Sequence, residues 1–138
     1  MPRFAWVIAL LAAFAASASA QTPVPDLRGT WKGDSESIVY GGGNPHHPQA
    51  PAAEPQLRTV AFTLVVDKQD GRRFSGTFSS SRGSEKVVAV ISRSGTIMMA
   101  DDDGYTLGTI LAPNRIEFCY LRTSAAARIA SCTEMTKQ

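Results

Sequence analysis

The sequence predicts an all-β protein, an antiparallel up-and-down barrel of about eight strands. Three observations predict it. Short apolar runs recur about every 10 residues, clusters of turn-forming residues separate them, and no stretch of useful length has a helical period. Most connections are short, which favours pairing of consecutive strands. Closing the sheet removes the two exposed edges that an open meander would leave.

The predicted strands alternate between inward and outward positions. In the second strand every other residue over 60–66 is apolar, and in the third Phe74 and Phe78 share one face. The first strand has a polar middle at residues 33–36, which leaves its inward positions undefined. The fourth is apolar on both faces over 87–91, which predicts that something else covers one face. The eight predicted strands are residues 29–40, 57–67, 73–79, 85–92, 96–100, 105–111, 115–121 and 127–135.

The connections of an up-and-down barrel alternate between its two ends. One end has tight turns near Asp70-Gly71, Ser94-Gly95 and Pro113-Asn114, and we expect that end to be closed. The opposite end carries the longer connections, residues 41–56, 80–84, 101–104 and 123–126. We expect this end to be open, and ligands favour the mouths of barrels.

The first twenty residues predict a secretory signal peptide. Arg3 supplies the positive n-region, residues 4–16 form the apolar run, and Ala18-Ser19-Ala20 places small residues at the positions that determine cleavage. The run is shorter than the about 20 residues that a membrane span needs. We expect cleavage before Gln21 and a mature chain without a membrane span, periplasmic or secreted. In it, residues 21–26 form a Pro-rich extended tail and residues 27–138 a single domain.

The charge balance bears on the class of partner. The chain has 138 residues, with 14 Lys and Arg against 12 Asp and Glu, a net charge of +2. Removing residues 1–20 takes away one basic residue. This near-neutral balance excludes a strongly basic nucleic-acid binder and an acidic disordered chain. The expected partner is a small molecule or another exported protein.

The two cysteines, Cys119 and Cys132, are expected to form a disulfide, because an exported protein meets an oxidising compartment. If they face each other, Ser124 faces Ala127 and the turn falls where the pattern of the sequence places it. The same register sets Glu117 opposite another glutamate, so we expect the pairing to slip there.

Two short motifs carry a family resemblance. The Gly29-Thr30-Trp31 opening of the first strand resembles that of the calycins, the lipocalin and avidin group of eight-stranded barrels. The segment from Phe74 to Phe78, with its central Gly76, is similar to an avidin-type strand. The resemblance implies an eight-stranded barrel in which Trp31 packs across the closed end under a cationic side chain. The opening is also similar to that of small periplasmic protease inhibitors of eight-stranded barrel form.

The longest connection, residues 41–56, is rich in Gly and Pro and should be mobile. It is placed as a lid over the mouth, and the alternative is a disordered, tolerated insertion. It contains His46 and His47, the only two histidines. Together with residues 101–103, adjacent histidines can bind a transition metal. A solvated loop beside an acidic turn is the alternative, and it is the one that we expect, so no metal site and no cofactor is assigned.

Aromatic side chains near the mouth predict a ligand site of partly apolar character. The alternative is a filled core, which is common in small eight-stranded barrels. The predicted ligand-binding residues are Tyr40, Phe62, Phe78, Tyr105 and Tyr120.

No sequence motif of a nucleophilic serine, a zinc protease or a phosphate-binding loop is present. We therefore expect a non-enzymatic exported barrel that binds a small, partly apolar ligand at its open end. The alternative is a periplasmic protein-interaction module, such as a protease or lysozyme inhibitor, in which the tail or a loop inserts into the partner. An unrecognised hydrolase is a third hypothesis.

Overall fold

A computed structural model describes residues 23–49 and 53–138; the predicted signal peptide lies outside them. The described residues form eight antiparallel strands that close into one barrel, in which each strand pairs with its neighbours in sequence and the first pairs with the last. This confirms the predicted fold class and the barrel that the calycin resemblance implies. The strands are β1 (Gly29–Gly41), β2 (Gln56–Asp70), β3 (Arg73–Ser80), β4 (Gly83–Ile91), β5 (Ile97–Ala100), β6 (Tyr105–Ala112), β7 (Arg115–Thr123) and β8 (Ala127–Lys137). Within the described residues no helix is long and apolar enough to cross a bilayer.

The barrel interior divides along its axis. The half near the tight turns is filled by one apolar cluster, since inward positions of every strand bring large side chains there. The buried members of this cluster are Leu27, Trp31, Phe62, Leu64, Val66, Phe74, Val87, Ile91, Ile97, Met99, Ile116, Phe118 and Met135. Further along the axis, the inward positions of β1 and β8 first carry hydroxyls and then, nearest the mouth, a second small apolar cluster of Val39 and Ile129.

Trp31 closes the tight end as the resemblance implies. Its side chain is fully buried, its indole N–H donates to the carbonyl of Leu27 at 2.8 Å, and Lys137 Nζ lies 5.4 Å from the ring centroid. The segment before β1 packs against the same end. The N–H of Leu27 donates to Gln69 Oε1, and Gln69 Nε2 donates to the carbonyl of Pro25.

A bulge shifts the β2–β3 hairpin by one residue. The register changes between Val66 and Lys68, and Asp70 then pairs with Arg73. The two-residue turn is therefore Gly71-Arg72, not Asp70-Gly71 as predicted. Gly71 takes the left-handed conformation, with φ +55°, that such a turn favours.

The β7–β8 hairpin has the register predicted from the cysteines. Cys119 pairs with Cys132 and is bonded to it, and the N–H of Ser124 donates to the carbonyl of Ala127 at 2.8 Å. The slip expected near Glu117 does not occur, although Glu117 does face Glu134. Arg115 forms an ion pair with Glu134 at 2.6 Å, which offsets the repulsion between the two glutamates.

The outer surface of β4 to β8 carries two neighbouring rows of uncharged, mostly apolar residues, which we call the outer apolar face. The first row, in order of pairing, is Val88, Ala100, Tyr105, Leu121 and Ala130; the second is Val90, Met98, Leu107, Cys119 and Cys132. Val88 is 64% exposed and Met98 53%. The cover predicted for the second face of β4 is thus not provided by the part of the chain that the structure describes.

A lidded cavity at the loop end of the barrel

The first connection folds over the mouth of the barrel. Residues 42–49, which we call the lid, are tied to the loops around them. The N–H of Gly42 donates to the carbonyl of Ala126 at 2.8 Å, and Arg122 Nη1 donates to the carbonyl of Gly43 at 3.2 Å. These contacts join the lid to the neighbouring β7–β8 hairpin.

Asn44 organises the lid from within. Its Oδ1 accepts the backbone N–H of His46 at 3.0 Å and that of His47 at 2.7 Å, and its own N–H donates to the carbonyl of His47 at 3.0 Å. Such side-chain-to-backbone bonds make a short Asn-led turn rigid. The expectation of a solvated loop is therefore wrong for these residues, because Asn44 folds both histidines back onto the barrel.

His46 is held on the barrel by both ring nitrogens. Nδ1 lies 2.8 Å from Ser80 Oγ and Nε2 lies 3.1 Å from Glu85 Oε2, and the residue is only 3% exposed. The ring meets Phe62 edge-on with centroids 5.1 Å apart, and Phe62 in turn lies 4.7 Å from Phe78. The lid thus packs on an aromatic pair from β2 and β3.

His47 is buried without a full set of hydrogen bonds. It is 2% exposed, its ring centroid lies 6.1 Å from that of Phe62, and its Nδ1 has no hydrogen-bond partner among the described residues. Burial, with smaller contributions from the charges of His46, Arg58 and Arg82, lowers the pKa of His47 to about 4. The imidazole is therefore neutral at pH 7.

Three carboxylates gather beside the histidines. One oxygen from each of Glu85, Asp101 and Asp103 lies within 4.8 Å of the others. Burial raises the pKa of Glu85, and the charge of neighbouring His46 partly offsets this rise. The two aspartates belong to the β5–β6 turn, where Asp101 Oδ1 accepts the N–H of Asp103 at 3.1 Å.

Tyr120 and Arg122 connect this acidic group to β7. The Tyr120 hydroxyl donates to Asp103 Oδ1 at 2.6 Å, and Arg122 Nη1 pairs with Asp103 Oδ2 at 2.8 Å. Burial, and then the hydrogen bond to Asp103, raise the pKa of Tyr120, so it stays a neutral donor. Asn44 Nδ2 donates to the same hydroxyl at 3.4 Å, which links the lid to the group.

Beneath the lid lies a cavity of about 30 Å³, which has room for one or two water molecules. Its surroundings are chemically divided. Phe62 and Phe78 form an aromatic wall, and Ser131 and Thr133 of β8 form a hydroxyl wall. The carboxylates of Glu85 and Asp101 form a third. Other residues that line it are Asn44, His46, His47, Met99, Thr106, Phe118 and Tyr120.

The hydroxyl wall continues onto β1. Ser35 and Ser37 are buried there, pair with Thr133 and Ser131, and lie 3.0 Å apart between their hydroxyl oxygens. The polar middle of the first predicted strand therefore has one buried inward residue, Ser35, and Ser37 continues the same inward side. These side chains make the middle of the barrel interior polar on one side.

Of the five predicted ligand-binding residues, the structure brings three together. Phe62, Phe78 and Tyr120 line the cavity. Tyr40 and Tyr105 were predicted in the site and do not line it. Tyr105 is 52% exposed on the outer apolar face. Tyr40 points to the outer side of β1, with Arg128 over its ring, 5.7 Å from the centroid. Their neighbours in sequence take the inward positions, because inward and outward positions alternate along a strand.

Sequence reasoning missed Glu85, Asn44 and Ser80. Glu85 stands near the start of β4 in the polar segment 83–86, and nothing local marks it as inward. Its partner His46 is 39 residues away along the chain. The one usable signal was Asn44-Pro45 before two histidines, since an Asn can lead a turn that folds onto its own backbone.

Comparison with known proteins finds a distant likeness among solved structures. No family model and no curated protein sequence matches it. Among solved structures it is similar to the S-type phycobiliprotein lyase CPES from Guillardia theta, with 12% identity and a TM-score of 0.48 over 81% of this chain and 88% of that chain. A likeness this distant carries no information on ligand or activity.

Proposed function

We propose that this chain is an exported, non-enzymatic barrel that binds a small, partly apolar ligand under its lid. The observation that carries the proposal is the divided cavity, in which an aromatic pair faces buried hydroxyls and carboxylates. Ligand sites typically combine an apolar lining with a few convergent polar groups. A filled structural core would not need Glu85 and His46 buried together at 3.1 Å.

Ligand entry requires the lid to move, because the closed cavity holds no more than one or two waters. When His46 and His47 swing out, the faces of Phe62 and Phe78 become available to an apolar body. The carboxylate of Glu85 then loses its histidine partner and can accept hydrogen bonds from the ligand. The site therefore favours a neutral or basic molecule with an apolar part over an anionic one.

Binding of N-phenyl-1-naphthylamine, a neutral apolar fluorophore, tests this proposal. The protein, with chelator added to remove metal ions, should enhance and blue-shift its fluorescence with saturable binding. Thr133→Leu fills the cavity from β8 and should abolish binding, since Thr133 is 3% exposed and lines it. Thr136→Leu makes the same change at an exposed position of that strand and should bind like the native protein. Equal binding by both variants would place the fluorophore outside the barrel and overturn the proposal.

Export is supported by the disulfide and by the signal-like leader. A bonded Cys119–Cys132 pair is typical of proteins that mature in an oxidising compartment. We expect protein recovered from a secreting host to begin at Gln21, and the intact mass of the purified chain measures this directly. An uncut leader, or two free thiols, would count against export.

A second candidate function is protein interaction, and the outer apolar face favours it. Its ten positions on five strands carry no charged residue. With strands ~4.8 Å apart and rows ~7 Å apart, the face covers on the order of 300 Å². A standard interface buries about 800 Å² per partner, roughly half of it apolar, so this face supplies much of one.

The partner that fits this face best is a second copy of the chain. A charge-free face can meet itself about a two-fold axis without placing like charges together. The inhibitor form of the protein-interaction hypothesis needs a free tail or loop, whereas the carbonyl of Pro25 in the tail is bound by Gln69 and the lid is tied down. The face is thus a better basis for interaction than either segment.

Sedimentation velocity at micromolar concentration measures this association. The native protein should sediment as a dimer, and Leu107→Lys should be monomeric. Thr109→Lys places the same charge two residues along the same outward side of β6 and should remain dimeric. A native monomer at all concentrations would exclude self-association through this face and leave the ligand proposal unaffected.

A further inference from the structure

Three carboxylates form a close, partly buried cluster at the barrel mouth. Glu85, Asp101 and Asp103 each place one oxygen within 4.8 Å of the others, and the Glu85 side chain is only 8% exposed. Both carboxylate oxygens of Asp103 already have partners, Tyr120 and Arg122. Asp101 accepts backbone N–H groups through Oδ1, and Glu85 contacts His46 through Oε2. The second oxygen of each, Oδ2 of Asp101 and Oε1 of Glu85, accepts no hydrogen bond within the described residues.

The lid places one histidine nitrogen beside one of these carboxylates. Nε2 of His46 lies 3.1 Å from Oε2 of Glu85. Two ligand atoms bound to one zinc ion at about 2.0–2.2 Å lie roughly that far apart, at ~3.3 Å. Ser80 Oγ lies 2.8 Å from the other ring nitrogen, Nδ1, and can orient the imidazole as the outer partners of metal-bound histidines do.

His47 is the independent sign of a ligand here. It lines the same cavity as Glu85 and Asp101, is 2% exposed, and its Nδ1 has no hydrogen-bond partner among the described residues. A buried polar atom without a partner is rare in folded proteins, and it commonly marks a group that the structure does not include. The nearby cavity of about 30 Å³ has room for one ion and a water molecule.

We propose that the lidded cavity binds one divalent transition-metal ion through Glu85, Asp101 and a histidine of the lid. Mixed nitrogen and carboxylate ligands suit zinc and its neighbours, whereas calcium takes oxygen ligands in larger number. The ion bridges the lid to β4 and the β5–β6 turn, and so it holds the lid closed. The site shares its cavity with the proposed organic ligand but does not require that ligand.

Titration of the metal-free protein with zinc chloride alone tests the inference. Calorimetry should give one ion bound per chain for the native protein and for Asp102→Asn, whose side chain belongs to the same turn but lies outside the cluster. Glu85→Gln and Asp101→Asn should bind zinc at least tenfold more weakly. Asp101→Asn keeps the Oδ1 acceptor that the turn needs, so the turn should stay folded.

Thermal unfolding followed by circular dichroism provides the second measurement. Zinc should raise the melting temperature of the native protein and of Asp102→Asn, and should raise that of Asp101→Asn much less at the same zinc concentration. Equal binding by all variants would mean a surface site, and no heat with the native protein would mean no site; either result overturns the inference. Because the fluorophore is measured with chelator and zinc without fluorophore, failure of one proposal is distinguishable from failure of the other.

Discussion

The hydroxyl of Tyr120 donates a 2.6 Å hydrogen bond to Oδ1 of Asp103. This bond joins an inward residue of β7 to the β5–β6 turn, and Asn44 of the lid reaches the same hydroxyl. One phenol therefore holds together three segments that are distant in sequence. Removal of this hydroxyl should therefore alter both the stability of the fold and the opening of the lid.

Tyr120→Phe should lower the free energy of unfolding by about 1–3 kcal/mol, the usual cost of losing a hydrogen bond to a charged group. It should also speed entry of N-phenyl-1-naphthylamine, because Asn44 loses its contact with the hydroxyl. Urea unfolding and stopped-flow fluorescence measure the two effects. Tyr105→Phe is the matched control: Tyr105 is 52% exposed on the outer face, so removing its hydroxyl should change neither quantity.

Stability should fall as the solution is made more acidic, and His47 is the cause. Its pKa is about 4 in the folded chain, lowered by burial and by His46, Arg58 and Arg82 against the opposing charge of Asp103. An unfolded histidine has a pKa of about 6.5, so between pH 6.5 and 4 the unfolded chain binds a proton that the folded chain does not. The free energy of unfolding of the native protein should therefore fall by up to about 3 kcal/mol between pH 6.5 and 4, and His47 should contribute no change above pH 7.

Comparison with His47→Gln separates this effect from that of Glu85. The raised pKa of Glu85 acts in the opposite direction, because the folded chain takes up that proton before the unfolded chain does. Urea midpoints at pH 7 and pH 5 should diverge for the native protein and much less for His47→Gln. The same drop in both proteins would assign the acid sensitivity to another group.

The disulfide should contribute about 3 kcal/mol to the free energy of unfolding, since it closes a short loop in the unfolded chain. Cys119 and Cys132 are 13 residues apart and already paired across β7 and β8, so removing the bond costs no strand contact. Reductant should lower the urea midpoint of the native protein. Cys119→Ala/Cys132→Ala should start at the reduced value and show no response to reductant; a response there would mean that the reductant acts elsewhere.

The strands and the β7–β8 register could be predicted because they depend on local alternation and on one covalent constraint. The position of the β2–β3 turn could not, because the bulge near Asp67 is a local choice that alternation does not encode. Tyr105 was placed inside for a related reason. The length of the turn before β6 sets which residues point inward, and a change of one residue exchanges Tyr105 with Thr106.

The lid was harder to predict, because its composition is that of a mobile loop. What orders it is a set of contacts with partners far along the chain, such as Ser80, 34 residues from His46. No local pattern contains those partners. The calycin resemblance did predict Trp31 at the closed end correctly, since the Gly29-Thr30-Trp31 motif at the start of the first strand fixes that position.

Gly76→Ala should destabilise the barrel although it adds a single methyl group. Gly76 lies at the centre of β3, facing inward, and a Cβ there would lie 2.3 Å from the carbonyl oxygen of Val65. The strand β2 would have to move at its bulge, and overpacking of this kind typically costs about 1–3 kcal/mol. Gly83→Ala is the control, because its Cβ would meet only Pro45, at 3.8 Å. Urea unfolding should show a lower midpoint for Gly76→Ala and a native one for Gly83→Ala; equal midpoints would mean that β2 and β3 are not in close approach at this position.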